Sequence, residues 1–292
     1  MNHNSQKNIQ KVLLIFILIM TTLACNMPTQ SAPPAPEVPP EPATLPVPLE
    51  QEAEPENVTE AEPPEQPSAE EPDVCFEDVC LSFDESIACQ VNGEIVPASD
   101  GEMWDNYPEY IKFTFDCYPL ANTFHEAEIR IYPVNDYRAR SDVIGSIVDD
   151  MNFLQDNRPP DPERIPFLPM WNAASMFKSK VQYLDFQNGS GVRFLTQFGQ
   201  AAWPINNNDM FYTFQGMTAD DQYYIAAILP ASNPVLPDNG DDAVPGGDHM
   251  AFSENFENYV RDIKVQLDEQ PDDSFTPGLC MLDEMIRSLR VH

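Results

Sequence analysis

Three stretches carry residues that could do covalent or acid–base chemistry. Ser175 and Lys178 stand three apart, the spacing at which a lysine serves a serine nucleophile. The Ser-Asp-Asn and Lys-Thr-Gly companions of such a site do not occur in the chain. Ser190 lies directly between Gly189 and Gly191. A nucleophile elbow places its glycines two residues away on each side, so a hairpin turn explains this run better. His125-Glu126 opens like a zinc-protease helix, but Ile129 holds the position of the second histidine and the surroundings alternate like a strand. His249 is a single histidine in a loop. With four histidines in 292 residues, a histidine triad or zinc site is not expected, and no phosphate-binding Walker loop is present.

Two other constellations point to binding. Asp238, Asn239, Asp241, Asp242 and Asp248 crowd a glycine-containing loop, and hard cations such as Ca2+ take oxygen donors of this kind. We note Asp238, Asp241 and Asp242 as a Ca2+ candidate, although the spacing is not that of an EF-hand. Trp203-Pro204-Ile205 is followed by Asn206, Asn207, Asn208 and Asp209. An indole beside a rigid turn and several amides predicts that Trp203, Asn206 and Asn207 line a ligand site. The competing role is that the asparagines bond the loop's own backbone. Trp104, Trp171, Tyr107 and Tyr110 offer further stacking surfaces for sugar or peptide, beside the ordinary role of such rings as core and loop anchors.

These residues need a scaffold, and residues 180–230 supply its floor. Apolar alternation over 181–186, 192–197, 211–214 and 223–229 predicts a strand meander. A turn is expected at Asn188-Gly189-Ser190-Gly191, and Pro230 ends the last strand. Upstream, 86–96, 110–116 and 126–134 read as strands. Ser141 is placed to cap a helix over 141–153 that buries Val143, Ile147, Val148 and Phe153. Residues 157–170 hold five prolines and form a loop pinned by Phe167, Leu168 and Trp171. After the meander, Ser253 caps a helix whose face carries Phe256, Tyr259, Val260, Ile263 and Leu267. Thr276-Pro277 opens a last helix that buries Leu279, Leu282, Met285, Ile286 and Leu289, with Asp283 and Glu284 outward. The element order predicts an α+β domain, an antiparallel sheet with packed helices, over residues 74–292.

The N-terminal part is of a different kind. Lys7 and Lys11 precede an apolar run over 12–20, and Thr22-Leu23-Ala24-Cys25 follows. This resembles a bacterial lipoprotein signal, which implies lipid on Cys25; Thr22 stands where that signal more often has leucine. Residues 26–73 are rich in proline and glutamate, with no lysine, arginine or aromatic residue. Such a segment is expected to be a disordered spacer, reaching on the order of 100 Å at ~3.1 Å per residue.

An extracytoplasmic domain permits disulfides. With Cys25 set aside, five cysteines are left, an odd number, so at least one is free or pairs between molecules. The preferred pairing is Cys75–Cys80 and Cys89–Cys117, with Cys280 buried and unpaired. The net charge of −33 disfavours nucleic acid and anionic lipid headgroups as partners.

The runs G-S-G-V-R-F-L-T-Q (189–197), P-I-N-N (204–207), F-Y-T-F-Q-G-M-T (211–218), Y-Y-I-A-A-I-L-P (223–230) and A-E-I-R-I-Y-P-V (127–134) resemble uncharacterised bacterial envelope lipoproteins, over most of residues 80–292. The ending L-C-M-L-D-E-M-I-R-S-L-R-V (279–291) is similar to the terminal helix of PsbP-like domains, which implies an αβα sandwich and carries no functional residue. The expected protein is therefore a membrane-tethered envelope lipoprotein, more a binding or structural module than an enzyme. Its expected partners are an envelope protein, a peptide or a glycan. The alternative is an extracytoplasmic hydrolase without a recognisable motif.

Overall fold

The computed structural model describes residues 71–240, 244 and 247–292; Asp241 and Asp242 of the proposed Ca2+ set, the signal and most of the spacer lie outside them. The chain enters through a hairpin, β1 (Val74–Phe76) and β2 (Val79–Leu81). There follow β3 (Gln90–Val96), the short pair β4 (Ser99–Asp100) and β5 (Asn106–Tyr107), β6 (Tyr110–Asp116) and β7 (Glu128–Pro133). Helices α1 (Val134–Arg138) and α2 (Asp142–Asn157) precede β8 (Ala174–Ser175), β9 (Ser179–Phe186), β10 (Gly189–Thr196), β11 (Phe198–Gly199), β12 (Phe211–Thr218) and β13 (Tyr223–Pro230). Helices α3 (His249–Glu254), α4 (Phe256–Glu269) and α5 (Leu279–Ser288), then β14 (Arg290–Val291), complete the chain.

Seven strands form one sheet in the order β3-β6-β7-β13-β12-β10-β9, and every neighbouring pair is antiparallel. The domain is α+β. The central strands β12 and β13 are buried on both faces because helices cover both. On one face Phe113, Ile129, Ile131, Tyr212, Phe214 and Ile225 pack against Leu267 of α4 and Leu282, Met285 and Ile286 of α5. On the other, Tyr132, Val192, Phe194, Tyr224 and Ala226 pack against Ile144, Ile147, Val148, Met151 and Leu154 of α2. Each Val, Leu, Ile, Phe or Met among them contributes roughly 1.5–3 kcal/mol when fully buried.

Several local expectations are corrected. The turn after β9 uses Gln187 and Asn188, and Gly189 already pairs with Phe186 inside the hairpin. Gly189 and Gly191 are needed for close approach rather than for a turn: a Cβ on Gly191 would stand 2.4 Å from the Gln215 carbonyl oxygen. Strand β3 starts at Gln90, four residues later than expected, because Asp84 accepts from the Ser86 and Ile87 amides and turns the chain there. Ser141 caps α2 by accepting from Val143 N. Its buried stripe is Ile144, Ile147, Val148, Met151 and Leu154, while Val143 and Phe153 are exposed. Asp248, not Ser253, caps the helix after the acidic loop, and a break at Asn255 separates α3 from α4. The last helix begins at Leu279 with Gly278 as its N-cap, whose carbonyl takes the amides of Met281 and Leu282, while the Thr276 N–H and C=O bridge to Ser232.

Two disulfides are formed, Cys75–Cys80 across β1 and β2 and Cys89–Cys117. Cys280 is free as expected but exposed, not buried. Its position on α5 faces away from the stripe that starts at Leu279. Asp283 shows the opposite error: it is buried. The buried Arg193 of β10 lies 3.2 Å from Asp283 through Nε and 3.1 Å from Asp272 through Nη2. The Tyr212 hydroxyl donates to Asp283 at 2.9 Å. Burial holds the Asp283 carboxyl above the ordinary range although Arg193 pulls it down. Among the described residues no helix is long and apolar enough to cross a membrane.

Candidate functional site

The loop over 203–209 is closed on itself. Asn206 is fully buried. Its Nδ2 donates to the Pro204 carbonyl at 2.9 Å and to Asp209 Oδ2 at 2.8 Å. Its Oδ1 accepts from the amides of Asn208 at 3.0 Å and Asp209 at 3.1 Å. Asn207 Nδ2 donates to the Leu236 carbonyl, and its Oδ1 accepts from Asn233 N. The Trp203 indole presses on Gly240, where a Cβ would come within 2.3 Å of its Nε1. Asn206 and Asn207 thus fasten the loop to itself and to the 233–238 segment. This is the competing role of asparagine in turns.

The other sequence candidates find local explanations. Ser175 Oγ bonds the Phe177 carbonyl and Thr196 Oγ1, while Lys178 Nζ donates to the carbonyls of Pro162 and Glu163. The two side chains serve different loops. Ser190 is a strand residue whose carbonyl accepts from Gln155. Asp238 is exposed and its carbonyl accepts from Asn208 N. Asp248 holds the start of α3. Among the described residues no group of three or more His, Cys, Asp or Glu side chains is placed to hold a metal ion.

The open site lies elsewhere, where the α2 side of the sheet ends. The covering over this face is α2 and the proline-rich loop after it, and Leu168 of that loop is fully buried. Beyond the loop's end a cleft of about 720 Å³ opens, lined by Phe124, His125, Glu128, Arg130, Trp171 and Phe198 among others. The His125 imidazole stacks on the Trp171 indole, with centroids 4.8 Å apart and planes 10° from parallel. Phe211 meets the imidazole edge-on at 4.6 Å. Phe198 and Phe167 back the indole, each at 4.9 Å. Phe124 stands at the rim, 73% exposed. Its amide donates to the Asn208 carbonyl, so the closed loop supports the rim of the open site.

The rest of the lining includes polar groups of β7. Arg130 pairs with Glu128 at 2.5 Å and donates through Nη1 to the Tyr132 hydroxyl at 3.2 Å. Strand alternation places Glu128, Arg130 and Tyr132 on the same face of β7. Burial drives the His125 pKa down to about 4; Asp209 pulls it partly back and Arg130 pushes it further down. The ring is therefore a neutral aromatic surface at ordinary pH. The sequence named both halves of this site without joining them: Trp171 as a loop pin and as one of several stacking surfaces for sugar or peptide, and His125-Glu126 as a failed zinc motif. Their meeting depends on β7 and the proline-rich loop converging from distant parts of the chain. No family model matches this chain, nor does any curated protein or solved structure.

Proposed function

We propose that this protein is an extracytoplasmic lipoprotein, held at the cell membrane through lipid on Cys25 and a spacer over 26–73, whose 74–292 domain is a non-catalytic binding module. The observation that carries the binding role is the aromatic cleft, lined by the neutral His125–Trp171 stack and by an already paired Glu128–Arg130. A hydrolase would need a titrating acid or base aimed into such a space. Here the imidazole is packed face to face against an indole and its protonation is suppressed. The buried carboxyl with a raised pKa, Asp283, is on the core-facing side of α5.

The likeness to envelope lipoproteins belongs to this reading, and so does the likeness to PsbP-like domains. Helices on both faces of an antiparallel sheet support the latter. Two disulfides favour an oxidising compartment. The partner class stays that of envelope protein, peptide or glycan. The test of the tether is Cys25→Ser. It is expected to abolish fatty-acid labelling and to move the protein from the membrane to the soluble fraction. Unchanged labelling would sink the lipoprotein assignment.

A further inference from the structure

The cleft's polar wall continues along the open strands of the sheet. Lys112 of β6 stands directly opposite Arg130 of β7, and Glu94 of β3 directly opposite Lys112. Lys112 pairs with Glu94 at 2.6 Å, as Arg130 pairs with Glu128. Each positive group on this strip is matched by its own carboxylate. An anionic ligand would have to break one of these pairs or leave a partner uncompensated, which is costly where the charges are partly desolvated. The net charge of −33 adds a general repulsion toward anions.

A neutral ligand meets no such obstacle. The cleft's lining offers the rings of Trp171, His125 and the exposed Phe124. It also offers acceptors on Glu126 and Glu128 and donors on Arg130 and Gln200. Ligand pockets fix orientation in this way, with a few polar groups set against an apolar wall. The complementary molecule has one apolar face, hydroxyl edges that both donate and accept, and no net charge. Those are the properties of a pyranose ring, whose C–H face meets the negative face of an aromatic ring.

Building on the binding role proposed above, we infer that the cleft at Trp171 binds a neutral saccharide, which stacks on Trp171 and Phe124 and hydrogen-bonds to Glu128 and Arg130. A volume of about 720 Å³ accommodates more than one sugar ring. A peptide is the competing ligand. It would have to present a proline or aromatic side chain to the rings and would leave its backbone N–H groups and carbonyls to the few polar groups of the lining.

The test is titration calorimetry on the purified full chain. The probes are chitotetraose and cellotetraose (neutral), the glucosamine tetramer (the cationic skeleton of the first), tetragalacturonate (anionic) and a proline–lysine peptide. At least one neutral tetrasaccharide is expected to bind. Its affinity should hold within about twofold when salt rises from about 0.05 to about 0.5 M. Trp171→Ala should weaken it by about tenfold or more, while Trp171→Phe stays within about threefold of wild type. Phe124→Ala changes an exposed residue, so the variant folds whatever the role of Trp171, and it should weaken binding by about threefold or more. If only a charged saccharide or the peptide binds, with the same dependence on Trp171, the ligand class is overturned and the binding role stands. If no probe binds in a manner sensitive to Trp171 or Phe124, the saccharide inference and the cleft's binding role both fall, while the Cys25 test of tethering is unaffected.

Discussion

Two indole-bearing regions sit close together in this domain and do opposite things. Around Trp203, the side chains of Asn206 and Asn207 bond the backbone of their own and a neighbouring loop. Around Trp171, the rings stack on one another and line a cleft. In sequence the first looks richer, since it sets four amide or acid side chains beside a tryptophan. The difference teaches that local polar density measures how much hydrogen bonding a loop must satisfy, and not how much it offers to a ligand. A buried loop consumes its own donors and acceptors, because an unpaired buried polar group costs more than a paired one gains.

Three measurements sharpen or break this contrast. The largest effect is expected from Asn206→Ala. It removes four hydrogen bonds of a fully buried side chain and should cost about 4 kcal/mol in denaturant unfolding. A loss under about 1 kcal/mol would mean that the loop does not depend on this residue.

The next effect belongs to the open region and is read by pH. The folded His125 ring titrates at about 4 and the unfolded one at its ordinary 6.5. The unfolded chain therefore binds the extra proton. The contribution to stability is complete above about 6.5 and is lost as pH falls toward 4, by up to about 3 kcal/mol. His125→Phe keeps the stacked ring and should remove this acid sensitivity. Asp283, with its raised carboxyl, contributes in the opposite sense, and that contribution cancels between wild type and variant. Identical pH profiles would show that the imidazole is not sequestered.

The smallest effect is expected at the rim. Phe124→Ala removes a ring that is 73% exposed, and its unfolding free energy should stay within about 0.5 kcal/mol of wild type. A loss comparable to that of Asn206→Ala would make the rim part of the core and erase the distinction between the two regions.

The parts of this fold that were legible in sequence are those set by short-range periodicity. Residues 110–116 alternate Ile111, Phe113 and Phe115 with polar neighbours, and β6 occupies that span. Both disulfides were anticipated because each joins residues in adjacent strands or at their ends. Features set by distant contacts were not legible. Asp283 reads as a solvent-facing helix residue until Arg193, ninety positions earlier in the chain, is placed beneath it. The strands β1, β2 and β14 are two or three residues long, too short to show a period. Trp171 was named as a stacking ring, but its pairing with His125 was not legible for the same reason: the two are joined only by the tertiary path of the chain, and neither has a local pattern that names the other.

The β1–β2 hairpin bears on how the domain would respond to a pull. Tension applied ahead of residue 74 enters at β1, and the Cys75–Cys80 bond joins β1 to β2 directly across the hairpin. Peeling β1 away would mean breaking a covalent link, so the load passes to β2. There it meets β14, which pairs with β2 through Arg290 and Val291, and the His292 amide, which donates to the Asp78 carbonyl. Further along the chain, Cys89 is bonded to Cys117 just beyond the end of β6. The fold is thus riveted at the end from which a tether would drag it, and the first structure to yield would be the grip of the C-terminal strand rather than the entry hairpin.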